Sequence, residues 1–251
     1  MSKIIISTLV WKRPEIFEIW AENISNLKPK PEVLICGSDG DQCAEICRRY
    51  GFHYTTAPNK LLGRKANASV ELGRNLEWDY MILTGSDDIL DQKMWDYYQS
   101  FQGEVLGLSD YYFLNLPDMR MIYWGGYKDG RRNGEPIGAC KLIRRDIIEK
   151  MDYKPFSDVS LHPDEHHTQE WLKKNGIETT TVKVSQTGGM SFDLKSESNI
   201  SKFQLWRNSQ YVNAIQTISP FPDLFSLLQS KSKKFDERVK EATKLQNRRN
   251  R

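Results

Sequence analysis

Residues 3–10, 32–36, 52–55 and 80–84 are short strand-like runs separated by stretches of helical periodicity, and this alternation constrains the fold more than any other feature of the chain. Residues 3–10 are a run rich in β-branched residues with a polar interruption at Ser7 and Thr8, and Trp11-Lys12-Arg13-Pro14 ends it. Pro14 suits the first turn of a helix, and Ile16, Phe17, Ile19, Trp20, Ile24 and Leu27 follow at helical spacing up to Pro29 and Pro31. The second strand closes in Gly37-Ser38-Asp39-Gly40-Asp41, and a second helix runs to Tyr50-Gly51. A third strand, a helix over 65–76 and a fourth strand follow, the last running into Gly85-Ser86-Asp87-Asp88. The order β-α-β-α-β-α-β predicts a mainly parallel, three-layer α/β sheet of Rossmann-like type, with ligand-binding loops at the carboxyl ends of the strands.

The pattern changes near residue 104. Strands are expected over 105–108 and 111–113, a hairpin across Tyr127-Lys128-Asp129-Gly130, and a strand over 137–143. A short helix over 144–151, a helix over 164–175 stopped by Gly176, and a strand over 178–184 follow. Helices over 203–218 and 223–247 are separated by Pro220 and Pro222. The expected organisation is an α/β half (1–103), a more antiparallel half (104–200), and a C-terminal helical extension (201–251).

Composition narrows the class. With 251 residues, 39% hydrophobic and 27% charged, the chain reads as globular, neither disordered nor fibrous. No apolar run approaches the ~20 residues of a membrane span, and the N-terminal apolar stretch is too short for a secretory signal, so a cytoplasmic location is expected. Cys36, Cys43, Cys47 and Cys140 lack paired C-x-x-C spacing and are expected as reduced, partly buried thiols. Residues 231–251 hold nine Lys/Arg against three Asp/Glu, twice the net charge of +3 of the whole chain. Such a tail is either a solvated helix or a contact for nucleic acid or an anionic membrane surface.

The strongest chemical feature is Asp87-Asp88 at the end of the fourth strand, where hard oxygens suit Mn2+ or Mg2+ bridging to a diphosphate. The alternative is a cap for the helix starting near Asp91. Asp39 ends the second strand in the corresponding position, where a carboxylate accepts hydrogen bonds from a nucleobase or ribose. Asn59, Arg64 and Lys65 precede a helix and offer a cationic contact for donor phosphates. His166 and His167 are metal-ligand or substrate-contact candidates, or surface residues at a helix start. Residues 187–193, with two glycines, read either as a mobile active-site loop from which Lys195 reaches a phosphate or as a plain connector. Trp124 and Tyr127 are candidates for stacking on an acceptor, or for packing.

Together these pieces resemble the GT-A glycosyltransferases, in particular the large inverting family that includes cellulose and chitin synthases. The matching residues are Thr8 with Arg13-Pro14, Asp39, Asn59-x3-Gly63-x-Lys65-x-Asn67, and Asp79-Tyr80 leading to Ser86-Asp87-Asp88-Ile89-Leu90. Less specifically, Gly138-Ala139-Cys140 followed by Arg144-Arg145-Asp146 matches an acceptor-side strand, and Asp164-Glu165 opens a helix that ends at Gly176. The resemblance implies a GT-A fold and donor binding by Thr8, Arg13, Asp39, Asn59, Lys65, Asn67, Ser86 and Asp87. It implies a metal on Asp87 and Asp88, and a general base at Glu165 or Asp164. The chain departs from the pattern at Gly85, which replaces the first aspartate of the usual Asp-x-Asp, and at Glu165, which stands where Asp is usual.

An inverting transfer from a UDP-sugar to an acceptor hydroxyl is therefore expected, the acceptor being a glycan, a lipid-linked sugar or a hydroxylated DNA base. Two other classes compete: an inactive GT-A-like binding module, for which Gly85 is the evidence, and a nucleotidyltransferase. The latter typically carries a glycine-rich, Arg-containing signature near its first strand, which this sequence lacks.

Overall fold

The computed structural model describes residues 2–38, 40–116, 120–128, 130–159, 165–196 and 215–218. The first half runs β1 (Ile4–Leu9), α1 (Pro14–Ser25), β2 (Glu32–Gly37), α2 (Asp41–Tyr50), β3 (His53–Thr56), α3 (Leu62–Glu71) and β4 (Tyr80–Leu83). It continues through β5 (Asp88–Leu90), α4 (Gln92–Ser100), β6 (Val105–Leu108), β7 (Tyr111–Asn115), β8 (Arg120–Trp124), β9 (Lys141–Arg144) and α5 (Arg145–Lys150). Then come α6 (Glu165–Lys174), β10 (Thr179–Val182), β11 (Ser191–Lys195) and β12 (Ile215–Ile218). Pro14 occupies the start of α1, and Gly51 ends α2 in the left-handed region at φ 73°, as the sequence predicts.

The main sheet has the order β10-β6-β9-β4-β1-β2-β3. Its strands are parallel except β9, which is antiparallel to both β4 and β6. Strand periodicity explains the three layers. Ile4, Ile6, Val33, Ile35 and Ile82 face one core with Phe17 and Trp20 of α1 and Cys43 and Cys47 of α2. Ile5, Leu34, Met81 and Leu83, the intervening residues, face a second core with Val70 of α3, Ile147 of α5 and Leu172 of α6. A second sheet, β12-β8-β7-β11-β5, extends the first core with Phe113, Ile122, Phe192 and Leu194.

Several expectations are corrected. The hairpin joins β7 to β8, from Tyr111 opposite Trp124 to Asn115 opposite Arg120, not 127–130. Gly130 instead begins a single 3-10 turn, Gly130–Arg132, closed by Asn133 N–H to the Gly130 carbonyl at 3.2 Å, inside a loop that Gly134 N–H closes on the Tyr127 carbonyl at 3.1 Å. The strand expected over 137–143 starts only at Lys141, because Cys140 has φ 56° and interrupts extended backbone. Helix α3 starts at Leu62, before the expected 65, because Leu62 is already buried on its apolar face.

The loop expected after residue 187 becomes β11 at Ser191, paired with β5 and β7. Residues 215–218, assigned by the sequence to a helix, form β12 against β8: Ile215, Thr217 and Ile218 are β-branched and meet a strand edge. The rest of 201–251, including the basic tail and the helix expected over 223–247, lies outside the described residues.

All four cysteines are buried and none is in a disulfide, and burial pushes the Cys36 thiol to about 11 and the Cys47 thiol to about 12, away from the reactive thiolate. Among the described residues no helix is long and apolar enough to cross a membrane. The stacked Phe17–Trp20 pair and the edge contact of Trp20 with Phe52 tie α1 to the turn before β3. Trp20 is fully buried, so Trp20→Ala is expected to cost about 3–5 kcal/mol in equilibrium urea unfolding; a loss under ~1 kcal/mol would mean that this core is not packed as described.

Candidate active site

At the carboxyl ends of β1 and β4 a cleft of about 380 Å³ opens between the two sheets. Its lining includes Ser7 and Thr8 of β1, Arg13, the Thr84–Asp88 turn, Tyr111 and Phe113 of β7, Tyr127, and Asp193 and Lys195 of β11. A larger groove of about 650 Å³ lies at the opposite end of the strands, beside Trp78, Arg144 and Arg145. Its charges neutralise one another: Arg144 pairs with Asp146 and Glu104, and Arg145 with Glu149. The smaller cleft is the candidate because it gathers buried charge, including a carboxylate oxygen of Asp193 with no hydrogen-bond partner, where the open α/β sheet presents its ligand loops.

The turn after β4 is organised by Asp88. One carboxylate oxygen accepts from Gly85 N–H at 2.6 Å and from the Thr84 hydroxyl at 2.9 Å; the other accepts from the Tyr111 hydroxyl at 2.9 Å. Tyr111 also bonds Ser191 at 2.9 Å, so this one carboxylate links the turn to β7 and β11. Burial and then the charge of Asp87 push the Asp88 pKa up to about 7, against the pull of these hydrogen bonds. With both oxygens accepting hydrogen bonds, Asp88 anchors the turn. It does not cap α4, since the side chain of Asp91 accepts from Met94 N–H at 2.7 Å.

Gly85 stands where the family pattern has aspartate, and the turn explains the departure. A Cβ built there would lie 2.6 Å from Asp87 Oδ1 and 3.0 Å from Asp88 Oδ2. The two carboxylates curl back over the glycine and leave no room for a side chain.

Asp87 faces the cleft. Its Oδ2 accepts from Arg13 Nη1 at 2.5 Å, while Arg13 Nη2 donates to Ser86 Oγ at 3.0 Å. Across the cleft Lys195 Nζ donates to Asp193 Oδ2 at 2.6 Å. Asp193 Oδ1 is buried and has no hydrogen-bond partner, and burial followed by the charge of Asp87 holds its pKa well above the ordinary carboxylate range. The Thr8 hydroxyl is a second buried polar atom here with no partner.

Asp193 was not among the residues that the sequence nominated. The signal was available: Ser191, Asp193 and Lys195 alternate with the core residues Phe192 and Leu194, which is the period of a half-buried strand.

Among the described residues no three His, Cys, Asp or Glu side chains form a ready metal cage. The cleft nevertheless fits a hard divalent cation. Asp87 and Asp193 face it with one oxygen orphaned, and Mg2+-type ions are commonly held by one or two carboxylates with substrate phosphates completing the shell.

Other nominated residues fall elsewhere. Lys65 is fully buried, with Nζ donating to the Val10 carbonyl at 2.5 Å and to Asn59 Oδ1 at 3.0 Å. It pins α3 to the end of β1 and is not available to phosphates. Asn59 completes that contact. Asn67 clamps Phe156 through its backbone in both directions, at 2.8 and 3.0 Å, and bonds Asp158 at 2.9 Å, so it shapes the cleft wall from behind.

His166 is not among the residues lining the cleft; its Nδ1 lies 3.1 Å from Glu135 and its Nε2 3.0 Å from Glu170. Tyr127 lines the cleft, whereas Trp124 is fully buried beneath it with ring centroids 4.7 Å apart. Glu165 opens α6. Asp39 and Asp164 lie outside the described residues.

No protein-family model matches the chain. No curated protein matches it either. Solved structures do. S. aureus TarS (residues 1–349) in complex with UDP matches at TM-score 0.50 and 12% identity, over 77% of this chain and 61% of that one. Glucosyl-3-phosphoglycerate synthase from Mycobacterium tuberculosis, in complex with Mn2+, UDP and phosphoglyceric acid, matches at TM-score 0.50 and 12% identity, over 73% and 69%. CMP:2-keto-3-deoxy-manno-octonic acid synthetase complexed with CTP matches at TM-score 0.48 and 14% identity over 85% and 99%, too low a score to carry an argument. The chain spans about three-fifths of the length of the TarS fragment. At these identities the likeness establishes the fold, which is GT-A-like.

The Gly85 turn supplies a direct test of the geometry. Gly85→Ala places a methyl group against Asp87 and is expected to destabilise the protein by about 1–3 kcal/mol in denaturant unfolding. Unchanged stability would show that the two carboxylates do not fold back over this residue.

Proposed function

We propose that the chain is an inverting glycosyltransferase that takes a UDP-sugar in the cleft between β1, β4 and β11. The observation that carries this reading is the meeting of Asp87 and Asp193 with Arg13 and Lys195 in one partly buried cleft at the ligand-binding end of a GT-A-like sheet. Two cationic side chains suit a diphosphate, and two carboxylates suit the divalent cation that accompanies it. The UDP and Mn2+ bound to structurally similar glycosyltransferases support the same choice of ligand.

In this mechanism Asp87 and Asp193 would hold Mn2+ or Mg2+, which would supply positive charge against that developing on the departing diphosphate. Arg13 and Lys195 bond the phosphate oxygens, Ser86 steadies Arg13, and the unpaired Thr8 hydroxyl bonds the nucleoside. Asp39, after β2, accepts from the base or ribose.

Tyr127 and Phe113 form the wall beside the sugar and exclude water from the anomeric carbon. The acceptor hydroxyl oxygen bonds to that carbon as the bond from carbon to diphosphate oxygen breaks, and UDP leaves with the electron pair. Glu165, with Asp164 as the alternative, takes the hydroxyl proton. The acceptor is a glycan, a lipid-linked sugar or a hydroxylated DNA base, and the basic tail beyond residue 230 contacts the acceptor or an anionic surface.

Calorimetric titration with UDP tests the donor site. Asp87→Asn and Asp193→Asn are each expected to weaken UDP binding in Mn2+ by at least the ~10–100-fold that changes beyond a metal's own ligands already cost. Metal-independent affinity unchanged from wild type in both variants, with no loss in Mn2+, would remove the assignment.

The base is tested separately with a donor panel and product analysis. Glu165→Gln is expected to lower transfer ~10²–10⁴-fold with UDP binding intact, while Asp164→Asn stays active. Full transfer by both variants would contradict an inverting mechanism that uses either carboxylate.

A further inference from the structure

The Arg13–Asp87 pair has a consequence for the order in which ligands enter the cleft. Both side chains are largely buried, at 15% and 11% exposure, so solvent screens the pair little. Arg13 is also held at its second nitrogen by Ser86. It occupies the N-cap position of α1 but makes no side-chain cap, so the helix does not require its head group, which crosses instead to the turn after β4. The guanidinium sits 2.5 Å from Asp87 Oδ2, and a divalent cation held by the same carboxylate would approach its oxygen to about 2.1 Å. Two positive centres would then share one carboxylate in a poorly screened cleft that also holds Lys195.

We propose that Arg13 is an internal counter-cation which keeps Asp87 closed to metal until a diphosphate draws it away. This rests on the cleft being the nucleotide site proposed above. A diphosphate offers the guanidinium fork a planar pair of oxygens and more negative charge than the single carboxylate it leaves. As Arg13 moves to phosphate, Asp87 becomes available to the cation, which also finds phosphate oxygens to complete its shell. Metal and nucleotide therefore bind cooperatively: the factor by which UDP tightens the cation equals the factor by which the cation tightens UDP. The free protein, with its cleft already neutralised by Arg13, takes up little metal alone.

Isothermal titration of the full chain with Mn2+ alone, UDP alone, and UDP in saturating Mn2+ reads all the terms. The wild type is expected to bind Mn2+ weakly alone and at least tenfold more tightly with UDP. Arg13→Gln is expected to bind Mn2+ alone at least tenfold more tightly than wild type, to bind UDP alone more weakly, and to lose the part of the coupling that passes through Arg13, keeping the part due to phosphate oxygens on the cation. Arg13→Lys keeps the charge beside Asp87 but not the second bond to Ser86; it is expected to fall between the two and remains informative if the glutamine variant does not fold.

Mn2+ affinity without nucleotide that is unchanged or weaker in the folded variants would overturn the proposal, because Arg13 would not then compete with the cation. If wild type binds no UDP while Arg13→Gln still gains Mn2+ affinity, the counter-cation role stands and the nucleotide reading falls.

Discussion

The buried carboxylate of Asp88 is the contact on which the cleft depends. It accepts from Gly85 N–H, Thr84 and Tyr111, and through Tyr111 reaches Ser191. A carboxyl group removed from water is costly unless hydrogen-bonded, and here those bonds come from β4, β7 and, through Tyr111, β11. The same bonds fix the two sheets against each other at the carboxyl end of β4. They also turn the next residue back, Asp87, into the cleft. The absence of a side chain at Gly85 is part of this arrangement, since the turn closes over that position.

Once the turn is set, the remaining site residues arrive from separate parts of the chain for separate reasons. Arg13 comes from the segment that Pro14 directs into α1, and Thr8 from the end of the central strand β1. Asp193 and Lys195 come from β11, whose pairing with β5 and β7 places its polar face toward Asp87. The second sheet thus supplies Asp88, Asp193 and Lys195 to a cleft that the Rossmann-like half alone would leave open. Behind the cleft, Lys65 and Asn67 spend their polar groups on the Val10 carbonyl, Asn59 and Phe156, holding β1, α3 and the 155–158 segment together.

The first half of the fold was legible because both faces of each central strand are apolar and the intervening helices carry a one-sided stripe. In the second half local signals competed with tertiary ones. Gly188 and Gly189 read as a loop and hid β11, although the alternation from Ser191 to Lys195 was present. Ile215 and Ile218 stand three apart, a spacing that suits a helix as well as a strand, and pairing with β8 decided between them. At the site, Arg13, Ser86 and Asp87 were readable from position. Lys65 and Asp88 were not, because nothing in a sequence separates a lysine or aspartate turned into the core from one turned toward a ligand.

The account's central claim divides labour between neighbouring carboxylates, with Asp88 holding the turn and Asp87 and Asp193 facing the ligand. A crystal structure of the protein with Mn2+ and UDP tests it most directly. The predicted result is Mn2+ at about 2.1 Å from oxygens of Asp87, Asp193 and the diphosphate, with Asp88 still bonded to Gly85, Thr84 and Tyr111. Mn2+ bound to Asp88, or UDP lodged in the groove beside Trp78 and Arg145, would contradict it.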